Sequence, residues 1–148
     1  MRSLRRILIV EDKPKEDAVA KAVIEYFEKK FDKVVTCASY KEIPISELRS
    51  FDLLILDILM GHSDKDYNDF VQANRDVLRE VPFALMTAVG KPWDIKRALN
   101  EIGLAPIGYI LKRGQDEGKM EQQSQLGMNP EEQCEDLVKR WRDHYAEQ

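Results

Sequence analysis

The chain alternates between two hydrophobic rhythms. Five short, nearly unbroken apolar runs read as strands buried on both faces: residues 4–10, 33–38 ("KVVTCA"), 52–56 ("DLLIL"), 83–87 ("FALMT") and 107–111 ("IGYIL"). Between them, apolar residues recur every three or four positions, the period of a helix with one inner face. After Pro14, the positions Ala18, Val19, Ala22, Val23, Tyr26 and Phe27 predict a helix with the proline in its first turn. Residues 40–50 contain Pro44 and predict a short, irregular helix starting near Ser46. Residues 68–80 predict a helix with Phe70, Val71, Val77 and Leu78 facing inward, and 92–102 another with Ile95, Ala98 and Leu99 inside. The last helix opens at Asn129-Pro130-Glu131-Glu132: a cap, a proline at the first helical position, then acids at the positive end of the dipole. Its inner face carries Cys134, Leu137, Val138, Trp141 and Tyr145.

Strand–helix alternation repeated five times predicts an α/β fold with a parallel sheet covered on both sides. The 148 residues suit one domain, 1–148, with a core large enough to need no disulfide. Residues 114–128 form a polar, Gln-rich insertion before the last helix. Charge alters the picture only by exclusion. A net charge of −4 gives no support for nucleic-acid binding, and Arg2, Arg5 and Arg6 flank the first strand. The four-residue apolar run after them is too short for a signal peptide, and no stretch reaches membrane-spanning length. Cys37 and Cys134 are far apart and lack metal-type spacing, so a reduced, cytoplasmic setting is expected.

Open sheets of this kind place their sites at the carboxyl ends of the strands. Strand one ends in Glu11 and Asp12, strand three in Asp57, strand four in Thr87 and strand five in Lys112. Three carboxylates brought together repel unless a hard cation neutralises them, and Mg2+ prefers such oxygen ligands. Asp57 could then attack a phosphoryl group to give an aspartyl phosphate. Lys112 would supply a cation for the phosphoryl oxygens, and the Thr87 hydroxyl a hydrogen bond.

These residues carry a resemblance. Glu11-Asp12, Asp57 closing "FDLLILD", Met60 three residues later, Thr87-Ala88 in "LMTA", and Tyr109 three before Lys112 resemble the receiver domain of two-component response regulators. The resemblance spans residues 4 to about 113 and implies a flavodoxin-like (βα)5 three-layer sandwich with strand order 2-1-3-4-5. It implies Mg2+, with Mn2+ as a substitute, held by Asp12, Asp57, the backbone carbonyl of Leu59 and, through water, Glu11. It implies Asp57 as phosphoacceptor, a histidine kinase or phosphotransfer protein as donor, and switching through Thr87, Ala88, Lys112 and Tyr109. The output face would join the fourth helix, fifth strand and last helix, engaging a downstream protein or a second copy of the chain.

Several positions depart from that pattern. Gly61 and Arg113 stand where prolines are usual, so no cis peptide is expected after Lys112, and the loop 61–67 is long and polar. Leu59 and Val89 are apolar where polar side chains could position water, which predicts slow loss of phosphate. Leu59 also argues against an aspartyl-phosphate hydrolase resembling the haloacid dehalogenases, which need a second acid at that place. A receiver-like adaptor without phosphorylation remains the alternative, although no reactive group is missing. "DKDYND" at 64–69 imitates a calcium loop, but Asp69 stands at the glycine position and Arg75 at the bidentate acid. There is no Walker loop or dinucleotide fingerprint. Trp93 and Trp141 read as packing residues, His62 as a solvated loop residue, and His144 as a partner for the negative helix end.

Overall fold

The computed structural model describes residues 3–59, 63–87, 92–112 and 128–146. Strands β1 (Arg6–Val10), β2 (Lys33–Cys37), β3 (Leu53–Asp57), β4 (Phe83–Thr87) and β5 (Gly108–Leu111) form one parallel sheet in the order β2-β1-β3-β4-β5. The helices are α1 (Ala18–Lys30), α2 (Lys65–Ala73), α3 (Arg75–Glu80), α4 (Pro92–Glu101) and α5 (Pro130–Ala146). The expected flavodoxin-like architecture and strand order are borne out.

Side chains alternate across each strand, so the sheet feeds two cores. Leu8, Val10, Leu54, Leu56, Phe83 and Leu85 join the segment after β2 and α2, α3 and α4 on one side. Ile7, Ile9, Leu53, Ile55, Ala84 and Met86 meet α1 and α5 on the other. Both faces of β1, β3 and β4 are covered, which is why their sequences lack the polar–apolar alternation of a half-exposed strand. Edge strand β2 keeps Lys33 and Thr36 exposed. Trp141 packs as expected, and its indole N–H donates to the Asp52 carbonyl at 2.8 Å. The Asp52 carboxylate in turn accepts the Arg5 and Arg6 amides at 3.0 and 2.9 Å, fixing β1 beside β3.

Local chemistry moves several boundaries. Pro14 lies outside α1; the Asp17 carboxylate caps the helix by accepting the Ala20 amide at 2.9 Å, so the helix begins three residues after the proline's neighbour Lys15. The helix predicted over 68–80 is two helices. Asn74 breaks it with φ −123° and ψ 30°, while its side-chain amide donates to the Phe70 carbonyl at 2.9 Å and so competes with the backbone ladder. The segment between β2 and β3 forms two 3-10 turns, Tyr40–Glu42 and Ile45–Ser50, in place of an α-helix. "DKDYND" opens α2, with Lys65 paired to Asp69 at 2.6 Å. The start of α5 is a reciprocal capping box: Asn129 Oδ1 accepts the Glu132 amide at 2.8 Å, and Glu132 Oε1 accepts the Asn129 amide at 3.0 Å. His144 lies in the last turn of α5 and stacks edge-on against Tyr145. Among the described residues there is no cis peptide, and no helix is long and apolar enough to cross a membrane.

Cys37 and Cys134 are both free and buried, one in each core. Burial pushes the Cys134 thiol up to about 12 and raises that of Cys37. A thiol reagent at neutral pH should therefore label neither residue in the native protein and both in urea. Rapid native labelling of either would contradict the packing of that layer.

Candidate functional site

Parallel register brings the strand ends level. Asp57 pairs with Met86 and Thr87 with Leu111, so Asp57, Thr87 and Lys112 leave the sheet along one edge. The Lys112 amide donates to the Thr87 carbonyl at 2.9 Å, and the Glu11 amide to the Cys37 carbonyl at 3.0 Å, which extends both ladders to the reactive residues. Glu11, Asp57 and Thr87 are almost fully buried, at 0, 1 and 1 % exposure, and Asp12 is half-buried.

Glu11, Asp12 and Asp57 each bring a carboxylate oxygen within 4.8 Å of the others. Lys112 reaches into this group. Its ammonium donates to Glu11 Oε1 at 2.9 Å and Asp57 Oδ2 at 3.1 Å, with Asp17 Oδ2 at 3.9 Å. Glu11 also accepts the backbone amide of Lys13 at 3.3 Å, whereas the Lys13 side chain is exposed to solvent. Burial raises the Glu11 carboxyl to about 8; the hydrogen bond from Lys112 opposes this, while the neighbouring Asp57 adds to it. Burial also raises Asp57, against the pull of its hydrogen bond with Glu11 and the Lys112 charge. Burial disfavours the Lys112 ammonium, but Glu11 and Asp57 outweigh it and raise its pKa. The two buried carboxyls thus hold charge less readily than free ones and share one lysine. Such a donor set, all hard oxygens in a compact cluster with surplus negative charge, fits a small divalent cation.

Leu59 stands two residues past Asp57, its half-buried side chain packed on the α2–α4 side of the core. Tyr109 is half-buried on that same side, and burial raises its phenol. Ala88 lies outside the described residues, as do Met60, Gly61, His62, Val89 and Arg113, residues 114–127 of the insertion, and the side chain of Trp93.

Three supporting residues escape a reading based on strand ends. The Tyr40 hydroxyl donates to the backbone carbonyl of Asp57 at 2.6 Å. Asp17 caps α1 and faces Lys112. Gln133, 4 % exposed, holds the backbone of Leu111 from α5. Gln133 did leave a trace in the sequence, because it precedes Leu137 and Trp141 at four-residue intervals on the buried stripe. Tyr40 left none.

A five-stranded parallel sheet of this order, with acids and a lysine at its carboxyl edge, has the fold of response regulator receiver domains. The structure superposes over 99 % of its length on the whole of a CheY-like receiver domain protein from Methanospirillum hungatei, with TM-score 0.65 and 18 % identity. It matches a receiver domain protein from Clostridium thermocellum over 98 % of this chain and 100 % of that one, with TM-score 0.63 and 16 % identity. CheY4 of Vibrio cholerae matches over 93 % and 99 %, with TM-score 0.61 and 20 % identity. No family model and no curated protein matches the sequence. The likeness is thus one of fold.

The raised Glu11 pKa sets a pH dependence. Between the ordinary value of 4.5 and about 8, the folded metal-free protein holds a proton that the unfolded chain releases. Stability is therefore lost as pH rises through that window. The melting temperature of metal-free protein should fall across it, and Glu11→Gln should flatten the fall. A melting temperature that rises across the window in the wild type would overturn the assignment of Glu11 as the proton-holding acid.

Proposed function

We propose that this chain is a response regulator receiver, accepting a phosphoryl group on Asp57 in a reaction that needs Mg2+. The observation that carries the reading is the convergence of Glu11, Asp12, Asp57 and Lys112 at one sheet edge, with Asp57 at the end of central strand β3. Asp12 and Asp57 would hold the cation directly, the Leu59 carbonyl would add a ligand, and Glu11 would act through water. When bound, the cation would neutralise the acids and screen the incoming phosphoryl oxygens.

Asp57 Oδ attacks phosphorus, forming a P–O bond as the P–N bond of a donor phosphohistidine breaks. The imidazole leaves and takes up a proton. The donor is a histidine kinase or phosphotransfer protein. Lys112 exchanges its contact with Asp57 for one with the phosphoryl oxygens, and the Thr87 hydroxyl donates to another. The chain supplies its own nucleophile and turns over no separate substrate, so it is a phosphoacceptor rather than an enzyme. Thr87, Ala88 and Tyr109 would report the change to a face made by α4, β5 and α5, shifting the population of partner-binding states. A downstream protein or a second copy would read that face, in the cytoplasm.

Incubation with phosphoramidate and Mg2+, followed by intact mass, should show the gain of one phosphoryl group in the wild type and none in Asp57→Ala. A gain that persists in Asp57→Ala would overturn the reading. Lys112→Ala should slow phosphorylation by roughly a hundredfold, because the group that screens the transferred charge is lost. With Leu59 and Val89 offering nothing to orient water, the acyl phosphate should survive for minutes in Mg2+ buffer; disappearance within seconds would contradict that account.

A further inference from the structure

β5 is an edge strand, and the lysine that follows it is the cation of the site. In such a strand alternate peptide groups face outward, away from the neighbouring strand. Lys112 turns its amide inward to Thr87, so the N–H and C=O of Leu111 face the open edge. They are not left to water. The Gln133 side chain accepts the Leu111 amide at 2.7 Å, and its own amide donates to the Leu111 carbonyl at 3.2 Å. A primary amide offers one acceptor and one donor side by side, so this single side chain occupies the place of a sixth strand.

The contact depends on how closely α5 lies over β5. A Cβ at Gly108 would fall 3.1 Å from Leu137 Cδ1 and 3.2 Å from Arg140 Cδ. The bare glycine lets the helix settle, and Leu111 and Gln133 are both buried at 3 and 4 % exposure. The capping box at Asn129 and Glu132 then fixes the first turn from which Gln133 projects. Leu111 is thus clamped to α5 while the next residue is clamped to β4, and Lys112 Cα is held from both sides.

Resting on the reading of Asp57 as phosphoacceptor, we infer that Gln133 is a positioning residue that fixes Lys112 in the site and couples it to α5. A shift of the lysine toward a phosphoryl group pulls on Leu111 and through it on the first turn of α5. A partner seated on α5 acts on the lysine by the same route. This path runs through β5 and α5 and is separate from the side chains of Thr87 and Tyr109.

The test compares wild type, Gln133→Met, Gln133→Glu and Val138→Ala in the full chain. Methionine keeps the volume and loses both hydrogen bonds; glutamate keeps the acceptor; Val138→Ala loosens the packing of the same helix and keeps both groups that bond Leu111. Phosphorylation by phosphoramidate in Mg2+ should slow roughly tenfold or more in Gln133→Met, with Mg2+ affinity nearly unchanged, and partly recover in Gln133→Glu. Val138→Ala should lower the melting temperature and leave the rate alone. Equal rates in wild type and a folded Gln133→Met, or equal slowing in Val138→Ala, would overturn the inference. If Gln133→Met does not fold, the comparison of Gln133→Glu with Val138→Ala decides it by the same criteria. If the wild type takes up no phosphoryl group, the receiver reading fails, and solvent exchange of the Lys112 ammonium protons in metal-free protein decides the positioning role. Faster exchange in the Gln133 variant than in Val138→Ala would support it, and equal exchange would overturn it.

Discussion

The structure turns on one ammonium group held among buried carboxylates. Glu11 and Asp57 have given up nearly all their water, and Lys112, their mutual hydrogen bond and, for Glu11, the Lys13 amide compensate them. Isolated, each would be costly to bury as an anion. Together they make a site whose charge is incompletely balanced, since one lysine faces two buried acids and the half-buried Asp12. The rest of the fold keeps this arrangement from relaxing. The parallel ladder sets the depth of Asp57 and Thr87, the Tyr40 phenol donates to the Asp57 carbonyl, and Gln133 holds the end of the strand that carries the lysine.

Much of this was legible because the information lay in order along the chain. Buried parallel strands leave unbroken apolar runs, and each run stops at the residue that serves the site: Glu11 after Val10, Asp57 after Leu56, Lys112 after Leu111. The topology then needs only a rule about strand ends. Boundaries were harder where a side chain competes with the backbone. Asn74 splits a helix whose apolar spacing runs through the break, and Asp17 captures the start of α1 that Pro14 appeared to claim on propensity. Asn and Asp have these local choices, and periodicity does not register them.

The supporting contacts were hidden for a different reason. Tyr40 to Asp57 spans 17 positions and Gln133 to Leu111 spans 22, and both contacts end on backbone atoms. A backbone acceptor has no residue identity, so nothing in the sequence of Asp57 or Leu111 advertises its partner. Only the placement of a polar side chain on an apolar stripe hinted at Gln133. The reactive groups are therefore written in residue types, while their positioning is written in the geometry of the sheet.

Helix α5 is attached to the sheet by hydrogen bonds at two heights: Gln133 grips β5 beside the site, and Trp141 donates to Asp52 just before β3 at the opposite end. The two residues are eight positions apart, about 12 Å along a helix axis. A rod held to a surface by side arms at two points resists both sliding along its axis and rolling about it, because either motion shears both bonds. Any message that α5 carries is then a tilt, as one attachment gives while the other holds, not a change in its length or reach. A surface that reads it would have to recognise orientation.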